Sequence, residues 1–312
     1  MTTSPLSSTQ KARILAEALP FIRAYHGKTL IIRFGGKAMA DPVLKAGFAR
    51  DVALLRLVGM NPIVVHGGGW RIDALLEQMG IPVRRHRGFR VTDEATMNVI
   101  EMVLGEINQE LVGLINRYGA KAVGIDGQDG RFIRAQRLAL APAGADDRVD
   151  LGHVGDVESI DPDIIRLLLS RRFVPVIMPV GVGADGTAYH INSDTVAGQL
   201  ARTLRAETLI IMTNVPGIVD RAGRLAYILT ASEVADLLED GVVDGEMEPR
   251  VSAALAAVRE NVRSVHIIDG GVESALLLEV LTNSGVGTAV RSDSGPHFLD
   301  DARHYFAEPA GD

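Results

Sequence analysis

Two glycine runs, each closing an apolar segment, are the residues of this chain best placed to do chemistry. Gly35-Gly36 follows Thr29–Phe34, and Gly67-Gly68-Gly69 follows Pro62–Val65. A buried strand that stops at glycine leaves backbone N–H groups with no side chain over them, and a helix beginning just beyond points its positive end the same way. Two such turns at neighbouring strand ends make a cradle for phosphate or carboxylate oxygens. Neither turn matches GxxxxGK[ST], and GxGxxG with an acidic residue about 20 positions on is missing too, so any phosphate site here has another architecture. Glycine pairs after strands also serve plain tight turns.

Other residues could complete such a cradle. Arg90 stands just before Thr92 and Asp93, either of which can cap the long helix running to about Tyr118. A guanidinium there can grip a carboxylate through two parallel hydrogen bonds, or simply belong to a solvated loop. Asn192, Ser193 and Asp194 follow a second glycine-rich stretch. Ser193 or Asp194 can be an ordinary N-cap, or Asp194 can face the cradle and organise cations; local sequence leaves both open. His190 can serve as an acid or base, although a lone histidine more often only hydrogen-bonds.

The elements that must position these groups read as alternating strands and helices. Apolar Ile14, Leu15, Ala18, Leu19 and Ile22 recur at helical spacing between Gln10 and Tyr25, with Pro20 inside. That helix packs on its own domain or pairs with another subunit. Asp41-Pro42 opens a helix to about Val58, a strand runs into the triple glycine, and a helix covers Ile72 to Met79. This βαβα order predicts a parallel sheet with right-handed crossovers. Lys121–Ile125 is a strand; Arg131–Gln136 and LGHVGDVESI form a hairpin excursion whose second arm is expected to return to the sheet. A helix over Asp163–Arg171 and a strand over Val174–Met178 follow.

The pattern restarts near Leu204, with strands at Thr208–Thr213 and Val262–Ile268, helices at Ser232–Glu239, Pro249–Asn261 and Val272–Leu281, and a closing GVGTAVRS strand. The predicted fold is α/β: a three-layer α/β/α sandwich around a mainly parallel central sheet. Residues 1–27 form a tail and helix, 28–203 a first lobe, and 204–312 a second lobe sharing the same sheet. Residues 1 to 9, small and polar, are expected to be disordered.

Composition excludes several classes. A net charge of −7 over 312 residues argues against a general nucleic-acid binder. No cysteine is present, so there is no disulfide framework, thiolate metal site or cysteine nucleophile. The N-terminus lacks a signal-peptide core and no apolar run reaches 18 residues, which predicts a cytoplasmic protein without membrane partners.

The pieces ALPFIRAYHGKTLIIRFGG, NPIVVHGGG, GFRVTD, INSDTVAG, TNVPGI and HIIDGGVESALLLEVLT together resemble the acetylglutamate kinases of the amino acid kinase family, from Ala16 to about Arg291. The resemblance implies ATP-dependent phosphorylation of the side-chain carboxylate of N-acetyl-L-glutamate or a close analogue, with Mg2+ carried by ATP and no protein metal site. It implies a homo-oligomer, the leading helix interlacing dimers. It assigns Gly35, Gly36, Gly67 and Gly68 as amide donors to the phosphoryl group and the attacked carboxylate. Arg90, Asn192 and the position of His190 would hold the substrate, Asp194 would orient two catalytic cations, and Thr213, Asn214 and Gly245 would lie by the nucleotide.

Departures from the family pattern are as informative. Arg33 and Arg250 stand where the family has its two catalytic lysines, His190 replaces an asparagine, and Glu246 and Glu248 add negative charge near the expected phosphates. Arginine can stabilise a phosphoryl-transfer transition state, but its planar fork is not a lysine's point charge, and both forks could instead clamp Asp194. The alternative is therefore a paralogue that binds ligand without transfer, or that acts differently on a related acidic substrate. Around the family's arginine-effector site, His266, Glu279, Gly285 and Gly287 match. Phe21 replaces a tyrosine, Thr208 a lysine and Gly271 an arginine, so feedback control is not expected.

Overall fold

Side-chain caps begin five of the described helices. The computed structural model describes residues 7–140, 150–245, 247–283 and 285–294. Expectations about residues 1–6, the loop at 141–149 and Glu246 lie outside the described residues. Helix α1 (Ser8–Tyr25) starts at a capping box in which Ser7 and Gln10 satisfy each other's backbone amides. After β1 (Thr29–Phe34) come the short α2 (Lys37–Ala40) and α3 (Pro42–Leu57), whose cap Asp41 accepts from the amides of Val43 and Leu44. Strand β2 (Asn61–His66) leads into α4 (Gly69–Gln78), which begins three residues earlier than expected, inside the triple glycine.

The basic segment before α5 (Glu94–Arg117) folds into a small hairpin, β3 (Arg85–His86) and β4 (Phe89–Arg90), and Asp93 rather than Thr92 caps that helix. There follow β5 (Lys121–Asp126), β6 (Ile133–Arg137), β7 (Val154–Ile160), α6 (Asp163–Ser170) and β8 (Phe173–Met178). Next are β9 (Val180–Val182), β10 (Ala188–Ile191), α7 (Ser193–Leu204), β11 (Thr208–Thr213) and β12 (Ile228–Thr230). The described part closes with α8 (Ala231–Glu239), α9 (Met247–Arg259), β13 (Ser264–Asp269), α10 (Ala275–Leu281) and β14 (Gly287–Arg291).

One eight-stranded sheet runs β12-β14-β13-β11-β1-β2-β8-β5, parallel except for the β13/β14 pair. Strands covered on both faces must be apolar nearly throughout, as β1, β2, β8 and β11 are. Alternation along them divides the interior in two. Ile32, Phe34 and Val64 pack with α3, α5 and α10 on one face; Ile31, Ile63 and Val65 pack with α7, α8 and α9 on the other. The same alternation sends Arg33 to the α7 face and His66 to the α5 face.

The expected return of LGHVGDVESI to the main sheet is corrected. β7 instead joins β6, β9 and β10 in a separate closed four-stranded unit, ordered β10-β7-β6-β9. Its polar Asp156, Glu158 and Ser159 could not lie between two helix layers, whereas a strand covered on one face tolerates them. The glycine-rich stretch before Asn192 forms the antiparallel β9/β10 pair and the turn between them. Among the described residues no helix is long and apolar enough to cross a membrane.

One core residue gives the fold a pH signature. Asp51 on α3 is 1% exposed, its Oδ1 accepts no hydrogen bond, and Arg50 Nη2 stands 3.5 Å away. Burial pushes its carboxyl up to about 6, against the lowering effect of Arg50. The folded state therefore holds a proton that the unfolded chain releases above about pH 4. That contribution to stability is fully present below pH 4 and is lost as pH rises through 6. Asp51→Asn is expected to raise unfolding free energy at pH 8 by about 2 kcal/mol and to flatten the slope between pH 4 and 6. Urea unfolding of both proteins at pH 5 and 8 checks this; an equal gain at both pH values would contradict it.

Candidate active site

Strand pairing puts the two glycine loops side by side. Phe34 is in register with His66, and Gly67 N–H donates to Phe34 O at 3.0 Å, closing the base of one loop on the other. The amide of Gly67 is thus committed inward, contrary to the role assigned to it as an outward donor. Helix α4 starts with Gly68 as its N-cap, so the amides of its first turn have no capping side chain. A Cβ on Gly68 would press on Leu104 and Ile107 of α5, and one on Gly36, whose φ is +75°, would collide with Asn214 Oδ1. The positive φ requires glycine at Gly36, whereas a Cβ on Gly68 would meet the movable ends of two side chains.

β11 pairs with β1 on its other side, and the strand order reverses there, which is where open α/β sheets bind ligands. Asn214, just past β11, accepts a hydrogen bond from Lys37 N at 2.6 Å and so ties the end of β11 to the first glycine loop. Thr213 is occupied in building its own turn, its Oγ1 donating to Val215 O and accepting from Val215 N. Gly245, at φ +55°, precedes α9.

Arg33 and Asp194 meet beneath the cradle on the α7 face, both buried. Arg33 Nε lies 2.8 Å from Asp194 Oδ1 and donates to Ser193 Oγ; Nη2 reaches Asp194 Oδ2 at 3.4 Å, and Nη1 donates to Met212 O. The guanidinium covers Gly35, where a Cβ would run into it. The cap of α7 is Asn192, whose Oδ1 accepts from Asp194 N at 2.8 Å, and not Ser193 or Asp194. Because Asn192 takes that duty, both following side chains are free to meet Arg33. Arg250, in the first turn of α9, has Nη1 3.9 Å from Met247 Sδ, and the described bonds to Asp194 come from Arg33 and the cap. Glu248 is exposed in the same turn.

Beside the second glycine loop Arg90 is 6% exposed and held by three hydrogen bonds. Nε and Nη2 donate to Asp73 Oδ1 at 3.1 and 2.6 Å, and Nη2 also donates to Gly69 O at 3.1 Å. It is thus anchored to the first turns of α4 rather than lying in a solvated loop. His190 on β10 is pushed down to about 4 by burial and then by the charge of Arg90, which makes it a neutral ring at pH 7. The structure brings together Gly35, Gly36, Gly67, Gly68, Arg33, Asn192, Asp194 and Asn214, with Arg90 anchored beside Gly69.

The five effector-type positions lie elsewhere. His266 Nδ1 and Glu279 Oε1 are 2.6 Å apart, Glu279 Oε2 accepts from Val286 N, and His266 Nε2 is 3.0 Å from Ser264 Oγ. Burial raises the Glu279 carboxyl, but His266 and the amides of Val286 and Gly287 outweigh that and hold it below its usual value. Gly285 faces Glu279, Gly287 is pressed against Ile267 O, and Phe21 is buried in α1.

The amino acid kinase family model matches residues 28–269. The chain belongs to the amino acid kinase family. Among curated amino acid kinases it is 56% identical over 286 residues to the acetylglutamate kinase of Chromobacterium violaceum, covering 91% of this chain and 99% of that one. With the acetylglutamate kinase of Nitrosomonas eutropha the identity is 52% over 292 residues, covering 93% and 99%. Among solved structures it matches N-acetylglutamate synthase from Neisseria gonorrhoeae, complexed with coenzyme A and N-acetyl-glutamate, at TM-score 0.80 and 26% identity. That match covers 91% of this chain and 64% of the synthase, less than two thirds of its length. Giardia carbamate kinase shares the fold at TM-score 0.63 and 18% identity, covering 86% of this chain and 99% of that one.

Proposed function

We propose that this chain transfers the γ-phosphoryl group of Mg-ATP to the side-chain carboxylate of N-acetyl-L-glutamate or a close analogue. The observation that carries this is the joined pair of glycine loops, with Arg33 and Asp194 below one and Arg90 anchored beside the other. Identity of 56% with an acetylglutamate kinase, over 99% of that relative, supports the same reading.

A nucleotide's terminal phosphate fits the residues present: glycines that exclude a Cβ, a helix start with no side-chain cap, and a buried guanidinium. ATP supplies the phosphoryl group, and Mg2+ would enter with it. Asp194 Oδ1 is paired with Arg33 Nε at 2.8 Å, and the remaining lone pairs of the carboxylate would be what a cation or its bound water meets. Arg33 neutralises charge on the transferring group, Gly36 and Gly68 present backbone N–H groups, and Arg90 fixes a substrate carboxylate, with His190 and Asn192 beside it. Thr213, Asn214 and Gly245, with Arg250 of α9, border the nucleotide, in a two-lobe division at about residue 204. Coupled ADP release tests the reading across a panel of N-acetyl-L-glutamate, L-glutamate and carbamate. N-acetyl-L-glutamate is expected to give the highest kcat/KM, and equal rates without any acceptor would overturn it.

The hold of Arg33 on Asp194 favours a second reading, a site locked for binding without turnover. Ligand-dependent thermal stabilisation with no ADP release would support that one.

A homo-oligomer assembled through α1 is part of the proposal, in a cytoplasmic enzyme. Ile14, Leu15 and Leu19 are 52%, 74% and 61% exposed on that helix while Phe21 and Tyr25 anchor it to the core. Replacing all three exposed residues by glutamate is expected to reduce the molecular mass by light scattering to that of a smaller assembly, with the unfolding midpoint of the protomer unchanged. An unaltered mass would contradict it.

A further inference from the structure

Behind the second glycine loop runs a chain of hydrogen bonds to which none of the residues assigned above contributes a side chain. His66 ends β2, fully buried on the α5 face. Its Nδ1 is 3.0 Å from Gly67 O and its Nε2 is 3.2 Å from Asn108 Nδ2 on α5; the same Nδ2 is 2.9 Å from Val176 O on β8. Val176 O and Gly67 O can only accept. The amide nitrogen of Asn108 must therefore face β8, its second N–H serves His66 Nε2, and His66 carries its own proton on Nδ1, which it donates to Gly67 O. Burial pushes the imidazole down to about 4, against the bond to Gly67, so the ring holds a single proton at pH 7. Gly124 on β5 closes the far end, since a Cβ there would collide with Asn108 Oδ1.

The consequence for the cradle is geometric. In a trans peptide the C=O and N–H point to opposite sides, and the Gly67–Gly68 bond is trans. With glycine on both sides, that peptide plane has no side chain of its own to hold it. Gly67 O is drawn toward His66 and α5, so Gly68 N–H is turned the other way, toward the side on which Ser193 Oγ stands 3.5 Å from where a Gly67 Cβ would be. We propose that the relay Val176–Asn108–His66 sets the Gly67–Gly68 peptide plane and so aims the Gly68 amide at the anionic group held in the cradle. His66 and Asn108 are then positioning residues. The relay stands on geometry alone; that the anion is an attacked carboxylate or a transferring phosphoryl group rests on the kinase reading.

The 15N shifts of the His66 ring in the unmodified protein at pH 7 report the tautomer directly. Protonation at Nδ1 is expected, and protonation at Nε2 overturns the proposal. Asn108→Leu is expected to move the Gly68 amide resonance, to lower kcat about tenfold, and to leave KM for Mg-ATP within about threefold. Adding His66→Phe to it should lower kcat no further, because the two act as one unit. A Gly68 resonance that stays in place, or two losses that simply multiply, overturns the proposal as well. If the unmodified protein turns over no acyl-amino acid, the kinase reading fails alone, since the tautomer and the Gly68 resonance are read without substrate. Should Asn108→Leu not fold, the tautomer in the unmodified protein still decides.

Discussion

Asp194→Ala is expected to lower kcat at least about 100-fold and unfolding free energy by about 3 to 5 kcal/mol. The two losses share a cause. Arg33 and Asp194 are both buried, and removing the carboxylate leaves a guanidinium in the interior with only Ser193 Oγ and Met212 O as described partners. A buried charge that loses its counter-charge costs far more than the pair gained, whereas an apolar pair of similar volume can be nearly neutral. The double replacement Arg33→Met with Asp194→Leu is therefore expected to recover most of the stability and none of the turnover. Urea unfolding and coupled ADP release separate the two effects. Turnover within about threefold of the unmodified protein in Asp194→Ala would place the chemistry elsewhere.

Arg90→Ala is expected to raise KM for N-acetyl-L-glutamate about 100-fold, roughly 2.7 kcal/mol, and to change kcat and KM for Mg-ATP little. The expectation follows from how the guanidinium is held. Asp73 and Gly69 O take Nε–H and both N–H groups of Nη2, so Nη1 is oriented before any ligand arrives, and little side-chain entropy is lost when it takes a carboxylate. Arg90→Lys should recover only part of the loss, because a lysine ammonium cannot keep the bonds to Asp73 and Gly69 O while it reaches the substrate. Asp73 keeps Arg85 at 2.6 Å in either variant, which limits damage to the fold. A fall in kcat at unchanged KM would move Arg90 from substrate binding to phosphoryl transfer.

The parts of this molecule written locally were legible in its sequence. Asp41-Pro42 announces α3, the glycines announce the ends of β1 and β2, and the βαβα order announces the largely parallel sheet. The curated relatives support the family resemblance drawn from the motifs. Features that depend on distant partners were not legible. β7 was expected in the main sheet because a short alternating segment carries no mark of which neighbour it will pair with; its neighbours proved to be β6 and β10. Arg33 meets Ser193 and Asp194 across 160 and 161 positions, so whether its fork would be free or committed could not be read from IIRFGG.

His66 and Asn108 were missed for the same reason. A histidine before three glycines and an asparagine inside a long helix gain meaning only when β2 and α5 pack, 42 positions apart in the chain. A signal was nonetheless present: Asn108 is a polar residue at a core-facing position of an amphipathic helix, and such a group must find partners. Asn192 was misjudged more narrowly. Three capping-type residues in a row leave the helix start undetermined by one or two positions, and here the first of them takes the cap and frees Asp194.

The proposed transfer can be tested most directly by trapping its product. Purified protein, Mg-ATP and N-acetyl-L-glutamate are incubated with hydroxylamine, and the hydroxamate is quantified against ADP. The account predicts one equivalent of the side-chain hydroxamate per ADP released, with neither formed when N-acetyl-L-glutamate is left out. Ligand binding seen by thermal shift, with no hydroxamate above that blank, would contradict it.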